Sequence, residues 1–287
     1  MQARTKLKKV LNPDGGVKAD VLDTMPQAEV AEIAALLGKK SIDASVDQEE
    51  LLRVAKMVDS TLFRVYMFVS PSFAGPLFRI DNFCDPDVVN EKLIEAGRYN
   101  DLVDFFYGKK LHRQALELLK KYGDVGQASE DAPQLAGPQR TVSYLQNLPP
   151  EQIDLILQFA EWPLRRNPEL GMEVFLADTE NAETLPRLPV LEFLQEVDNQ
   201  LAVKYLEHII HELNDTTPDF HQRLVNIYID RLKSDDFETE DDRIRWKERT
   251  LDFLKTSRGY QAYKVLGQLP KDSKSSPRYL HLGMSCC

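Results

Sequence analysis

Residues Asp85 to Gly123 read DPDVVNEKLIEAGRYNDLVDFFYGKKLHRQALELLKKYG, and their periodicity sets the fold class. Asp85 is of the type that caps a helix N-terminus, and Pro86 suits the first helical position. Val89, Leu93 and Ala96 then share one face up to Gly97. Leu102, Phe105 and Phe106 line a second piece that Gly108 ends, and Leu111, Ala115, Leu118 and Leu119 line a third that ends near Gly123. Each piece runs to about ten residues, too few for a stable isolated helix, so its apolar stripe must be buried against neighbours. Short amphipathic helices joined at glycines are the building pattern of a stacked helical array.

Upstream, Leu51, Ala55, Val58, Leu62, Val65 and Val69 recur in alternating steps of four and three, which predicts one long helix with those six side chains buried. Ser45 and Gln48 have the spacing of a capping box at its start, and Pro71 with Gly75-Pro76 stops it. A buried strand over Val65 to Val69 is the rival reading, and the six-residue stripe favours helix. A shorter helix is expected from Pro26 to Leu37, with Gly38 as its C-terminal stop. Met1 to Gly16 is polar and basic (Arg4, Lys6, Lys8, Lys9) and reads as turn or disorder around Asn12-Pro13-Asp14-Gly15-Gly16.

Downstream of a loop at 123–138, the helical pattern resumes. Ile153, Ile156, Leu157 and Ala160 form one stripe behind Pro149-Pro150. Val190, Leu191, Leu194 and Val197 form another. A third holds Val203, Leu206, Ile209, Ile210 and Leu213, and a fourth Phe220, Leu224 and Ile227 behind Thr217-Pro218, with Asp219 in its first turn. The acidic run Ser234 to Asp242 reads as a solvated loop, and a last helix covers Arg243 to Thr256. No alternation of period two appears, so the expectation is an all-α chain of about ten to thirteen helices. Helix pairs recur without a fixed signature, which fits an irregular α-solenoid of stacked helical hairpins resembling clathrin heavy-chain repeats, or an irregular bundle. Four segments follow: residues 1–46, polar with one short helix; 47–155 and 156–270, two solenoid segments; and 271–287, an atypical tail expected to be disordered.

The balance of 36 Lys+Arg against 46 Asp+Glu, a net charge of −10, disfavours binding to a phosphate backbone, so no nucleic-acid partner is expected. Three cysteines build no disulfide framework, which fits a reducing compartment. The most apolar stretch, Thr61 to Phe78, is broken by Arg64, Pro71 and Pro76, and no apolar segment follows the basic opening. The expectation is a soluble intracellular protein.

Candidate chemistry is sparse. His208 and His211 stand three apart, with His221 nearby, and a zinc site built on them needs Asp219 or His221 as a further ligand. The HIIHE run lacks the glutamate placement of HExxH, and the plainer reading puts the histidines on the flank of a helix. Cys84 has no base beside it in sequence and reads as a packing residue. Phe105, Phe106, Trp162, Phe193, Tyr205, Trp246 and Phe253 fall at helical spacings and read as core. Without a phosphate-binding glycine loop or a nucleophile elbow, the expectation is a chain that is not an enzyme, with no catalytic residues, metal ligands or cofactor. Cys286 and Cys287 have the form of a doubly prenylated Rab terminus but not of a C-a-a-X box, and a truncated or misread gene model is the favoured reading of that end.

VDSTLFRVY (Val58 to Tyr66), EKLIEAGRYNDLVDFFYGKKLHRQALELL (Glu91 to Leu119) and RTVSYLQNL (Arg140 to Leu148) resemble the central region of the type-39 vacuolar protein sorting family. LPRLPVLEFL (Leu185 to Leu194) and AVKYLEHIIHELNDTTPDFHQRLVNIYIDRL (Ala202 to Leu232) continue the likeness in the same order, over residues 47 to 270. The family is a subunit of the HOPS membrane tether, related to the transforming-growth-factor-β-receptor-associated proteins. The resemblance implies a clathrin-type solenoid segment, with 47–155 similar to the family's first domain, and supplies no catalytic residues. It also implies the other class C subunits as partners and a late-endosomal Rab GTPase indirectly. The implied location is cytoplasmic, peripheral on vacuole or lysosome and late endosome membranes. The paralogous CORVET subunit shares this region. The resemblance implies longer family members, with a β-propeller upstream and more solenoid downstream of the matching region.

Overall fold

The computed structural model describes residues 2–43, 47–124, 132–234 and 237–268, and these hold 17 α-helices. In chain order they are α1 (Gln2–Val10), α2 (Ala19–Thr24), α3 (Gln27–Leu36), α4 (Gln48–Val69), α5 (Ala74–Phe78), α6 (Pro86–Glu95), α7 (Tyr99–Gly108), α8 (His112–Gly123) and α9 (Gln139–Gln146). There follow α10 (Ile153–Arg166), α11 (Pro168–Leu176), α12 (Glu180–Glu183), α13 (Arg187–Val197), α14 (Asn199–Glu207), α15 (Pro218–Ser234), α16 (Glu240–Thr256) and α17 (Ala262–Gln268). The only extended pairing among the described residues is a single bridge between Leu11 and Val17. The chain is all-α and is built as a helical solenoid, as its periodicity implies.

It divides into two compact units, Met1–Thr141 and Val142–Cys287. That division lies inside α9, ahead of the boundary expected between 155 and 156.

The first unit overturns the reading of residues 1–46 as a polar segment with one short helix. Three helices form there, and Leu7, Val10, Leu11 and Ile33 enter one apolar cluster with Leu51, Val54, Ala55 and Phe83. Helix α1 escapes a pattern search because its apolar face is only a few residues set among lysines. Helix α3 ends as expected: Gly38, at φ +69°, lets Lys39 N–H reach the Ala34 carbonyl at 3.0 Å.

Helix α4 is one continuous helix, but its buried side is not the anticipated stripe. Leu51, Val54, Ala55, Asp59, Ser60 and Phe63 are buried, whereas Val65 and Val69 are exposed. The burial turns because two polar side chains, Asp59 and Ser60, find internal hydrogen-bond partners. The capping box at Ser45 lies outside the described residues. Asp47 precedes the helix and makes no cap bond of its own; its carboxylate instead accepts from Asp43 N–H at 2.8 Å and from Lys39.

Helices α6 to α8 follow their expected bounds. The Asp85 carboxylate accepts from the N–H groups of Asp87 and Val88, and Pro86 opens the helix. Val89, Leu93, Leu102, Phe105, Phe106, Ala115, Leu118 and Leu119 are buried; Ala96, at the C-cap, is exposed. Helices α5 and α6 both pack on α7, and α7 packs on α8. The rings of Phe63, Phe78, Phe105 and Phe106 form a continuous ladder with centroids 5.6, 4.9 and 6.0 Å apart.

In the second unit the stacking is explicit. Helix α10 pairs with α11 and α13 with α14, while α10 also packs on α13 and α11 on α14. First helices lie on first helices and second on second, which is the arrangement of a helical-hairpin solenoid. Gly171 makes the α10–α11 pairing possible: a Cβ there would stand 2.7 Å from the backbone N and Cα of Leu164. Helices α15 and α16 continue the series, α15 packing on α14, α16 and α17. Two expectations change here. The acidic run does not stay loop to its end, since Thr239 caps α16 and Glu240, Asp241 and Asp242 form its first turn. Helix α17 lies beyond the helix expected to be last, and the total exceeds ten to thirteen because pieces as short as α12 are held by packing rather than by periodicity.

Candidate functional site

The expected single helix through Val203 to Leu213 is two segments. Helix α14 ends at Glu207, and His208–Glu212 form a π-helical turn closed by Leu213 N–H on the His208 carbonyl at 3.2 Å. The wider turn takes residues three apart off a shared face. His208 is half-buried and His211 is exposed, its ring edge-on to Phe253 with centroids 6.1 Å apart. His221, buried, stacks on the same Phe253 at 6.0 Å.

Both nitrogens of His221 are committed within the fold. The Asp215 carbonyl only accepts, so Nε2–H donates to it at 2.7 Å, and Nδ1 accepts from the Ser257 hydroxyl at 2.6 Å. Burial holds this imidazole below the ordinary histidine pKa of 6.5 and keeps it neutral. Asp215 extends the knot: its carboxylate accepts from Arg187 and from Thr217 N–H, and its N–H donates to the Ile209 carbonyl. His221 therefore ties α13, the π turn, α15 and the segment after α16 together. Among the described residues no group of three His, Cys, Asp or Glu side chains is placed to hold a metal ion. Asp219 does not join the histidines either; it is exposed and pairs with Arg223 at 2.8 Å.

Cys84 sits in a second polar knot, in the first unit. The carboxylate of Asp59 accepts from Arg4 Nε and from Phe83 N–H, both at 2.7 Å, while Ser60 Oγ accepts from Asp85 N–H at 2.9 Å. Lys109 donates to the Asn82 carbonyl from the other side. Residues 81–85 are thereby laced to α4. Burial first, and the Asp59 charge second, push the Cys84 thiol up to about 12, so it is a packed neutral thiol rather than a nucleophile.

A concavity lies in the second unit. Helices α14, α15 and α16 enclose a groove of about 660 Å³ whose lining includes Val203, Lys204, Ile227, Arg231, Trp246 and Arg249. Trp246 is held by its Nε1–H donating to the Tyr228 carbonyl at 3.1 Å, and its ring lies edge-on to Tyr228 at 5.3 Å. The Arg249 guanidinium pairs with Glu207 and stands 5.6 Å from the Trp246 ring. Burial, and a hydrogen bond from its hydroxyl to Glu207, raise the Tyr228 phenol above its ordinary pKa, so it stays protonated. The rim carries both signs of charge, Lys204, Arg231, Arg245 and Arg249 beside Asp230 and Asp242, and Arg245 pairs with Asp242 at 2.6 Å. Trp246, expected in the core from its helical spacing, is half-buried on this wall. Neither Asp215 nor Glu207, which fix the two clusters, carried a signal in the sequence, because their partners lie on other helices.

Vacuolar sorting protein 39 domain 1 matches residues 58–164, which run from α4 into α10. Vacuolar morphogenesis protein 6 of Schizosaccharomyces pombe is 32% identical over 251 residues, 81% of this chain and 27% of that protein. The chain belongs to the vacuolar sorting protein 39 family. The Vam6/Vps39-like protein of Mus musculus is likewise 32% identical, over 80% of the chain and 27% of its own length. The Drosophila melanogaster homologue of vacuolar protein sorting-associated protein 39 is 29% identical over 92% of the chain and 29% of its own length. The chain thus spans little more than a quarter of these relatives. No solved structure matches it. Among the described residues no helix is long and apolar enough to cross a membrane.

Proposed function

We propose that the chain serves as a non-catalytic helical scaffold in the HOPS membrane tether, acting in transport from endosomes and autophagosomes to the vacuole or lysosome. One observation carries the reading: a match to relatives named for vacuolar sorting and morphogenesis over about four-fifths of the chain. The physical character agrees with it. Stacked helical hairpins offer lateral surface, which suits docking. The polar clusters are consumed by the fold: His221 and Asp215 pin helices, and Cys84 is a buried neutral thiol. Partners in this reading are the class C sorting subunits, with a late-endosomal Rab GTPase reached through the assembled complex. The chain works on the cytoplasmic face of vacuole and late endosome membranes.

The test is co-elution of the purified chain with purified class C core subunits in size-exclusion chromatography. A stable joint peak is expected. Separate elution of a folded, helical chain would remove the docking role from this segment.

A further inference from the structure

The C-terminal half of α4 presents a face that the fold leaves bare. Met57, Thr61, Arg64, Val65 and Phe68 follow one another at steps of four, three and one, which sets them on one side of the helix, opposite Asp59 and Phe63. Phe68 is 92% exposed and Val69 71%; Met57 and Val65 are each about half exposed. Exposed large apolar side chains are ordinary one at a time; Met57, Val65 and Phe68 on one side of one helix, with Val69 beside them, mark a contact surface.

Charge decides what that surface fits. The chain carries ten more acidic than basic residues, yet between Arg53 and Val69 the single acidic residue is Asp59, which is buried. Arg53, Lys56 and Arg64 are exposed along the same span. Arg53 has a 3.6 Å ion pair to Glu50, and Lys56 and Arg64 have none among the described residues. A side chain as exposed as Phe68 stands clear of every neighbouring element rather than lining a preformed slot. A protruding apolar ridge flanked by cations is the form that enters the boundary between lipid headgroups and acyl chains.

We infer that this face of α4 binds an anionic lipid surface directly, with Phe68 inserting among the acyl chains and Arg53 and Arg64, on the same side of the helix, pairing with headgroup phosphates or carboxylates. The contact is independent of the tether reading, in which membranes are reached through other subunits.

The experiment is flotation of the full 287-residue chain with phosphatidylcholine vesicles, with and without phosphatidylserine. The chain is expected to float with the mixed vesicles, and to lose binding when salt is raised or phosphatidylserine is left out. Phe68→Asp is expected to weaken binding about tenfold or more, from the lost burial of one aromatic side chain. Arg64→Glu is expected to cost about fivefold or more, in line with the contribution of a single cation near an anionic surface. Both positions are exposed, so circular dichroism and thermal unfolding should match the parent. Equal flotation of parent and Phe68→Asp would assign binding to another region and overturn the proposal. So would no flotation at all, or a parent dimer that Phe68→Asp turns into monomer, which would make the face a protein interface.

Discussion

Asp59 and Arg4 meet at 2.7 Å across 55 positions of sequence, the carboxylate side chain 2% exposed and the guanidinium 13%. This pair fastens α1 to α4, and the second carboxylate oxygen holds the Phe83 N–H. Asp59→Ala strands a mostly buried cation and an unpaired backbone donor together. The expected loss is about 3–5 kcal/mol in urea unfolding. A loss below about 1 kcal/mol would mean that the pair is open to water and does not anchor the N-terminal helices.

Gly171 is required by contact rather than by backbone angle. Its Cβ position falls 2.7 Å from main-chain atoms of Leu164, which no rotamer change relieves. Gly171→Ala is expected to push α10 and α11 apart and to cost about 1–3 kcal/mol, an overpacking penalty read as a lowered unfolding midpoint. A midpoint at or above the parent's would show that the hairpin is wider than described.

The assignment of buried faces is tested by truncation. Leu102→Ala and Phe105→Ala, at side chains 0% and 1% exposed, are each expected to cost about 2–5 kcal/mol. Val65→Ala, on the exposed side of α4, is expected to stay within about 0.5 kcal/mol of the parent. Reversal of that order in thermal or urea unfolding would return α4 to the stripe its sequence suggests.

His221 gives the chain a pH dependence with a definite sign. Burial lowers its folded pKa below the 6.5 of a free histidine, so in that window the unfolded chain binds more protons than the folded one. Stability from this group is complete above about pH 6.5 and declines as pH falls toward the folded pKa. His112, also lowered by burial, contributes in the same direction, so the relevant quantity is the difference between parent and His221→Asn. Its imidazole resonances are expected to titrate below those of an exposed histidine; titration above 6.5 would contradict the buried, neutral assignment.

Local signals are legible in the sequence, and tertiary ones are not. Asp85-Pro86, Gly97, Gly108 and Gly123 mark their helix ends because caps and stops act within a turn of the residues that cause them. The face of α4 was misread because Asp59 and Ser60 are acceptable inside only through Arg4, Phe83 and Asp85, and no window of sequence contains those partners. Helix α1 is hidden in the sequence because Leu7 and Val10 are too few to stand out among lysines, although Leu51 and Val54 cover them. The π turn at His208–Glu212 keeps the apolar spacing of an α-helix, so periodicity alone does not reveal it. The histidines themselves were visible, but Asp215 and Ser257, which show His221 to be a structural clasp, came only with the fold.

The most direct test of the scaffold reading is replacement. In Schizosaccharomyces pombe, residues 2–268 of this chain would take the place of the matching segment of vacuolar morphogenesis protein 6, and vacuole morphology would be scored by microscopy. The account predicts that the chimaera restores normal vacuoles in cells lacking the native protein. Persistence of the deletion phenotype, with the chimaera present at the native protein's level, would contradict it.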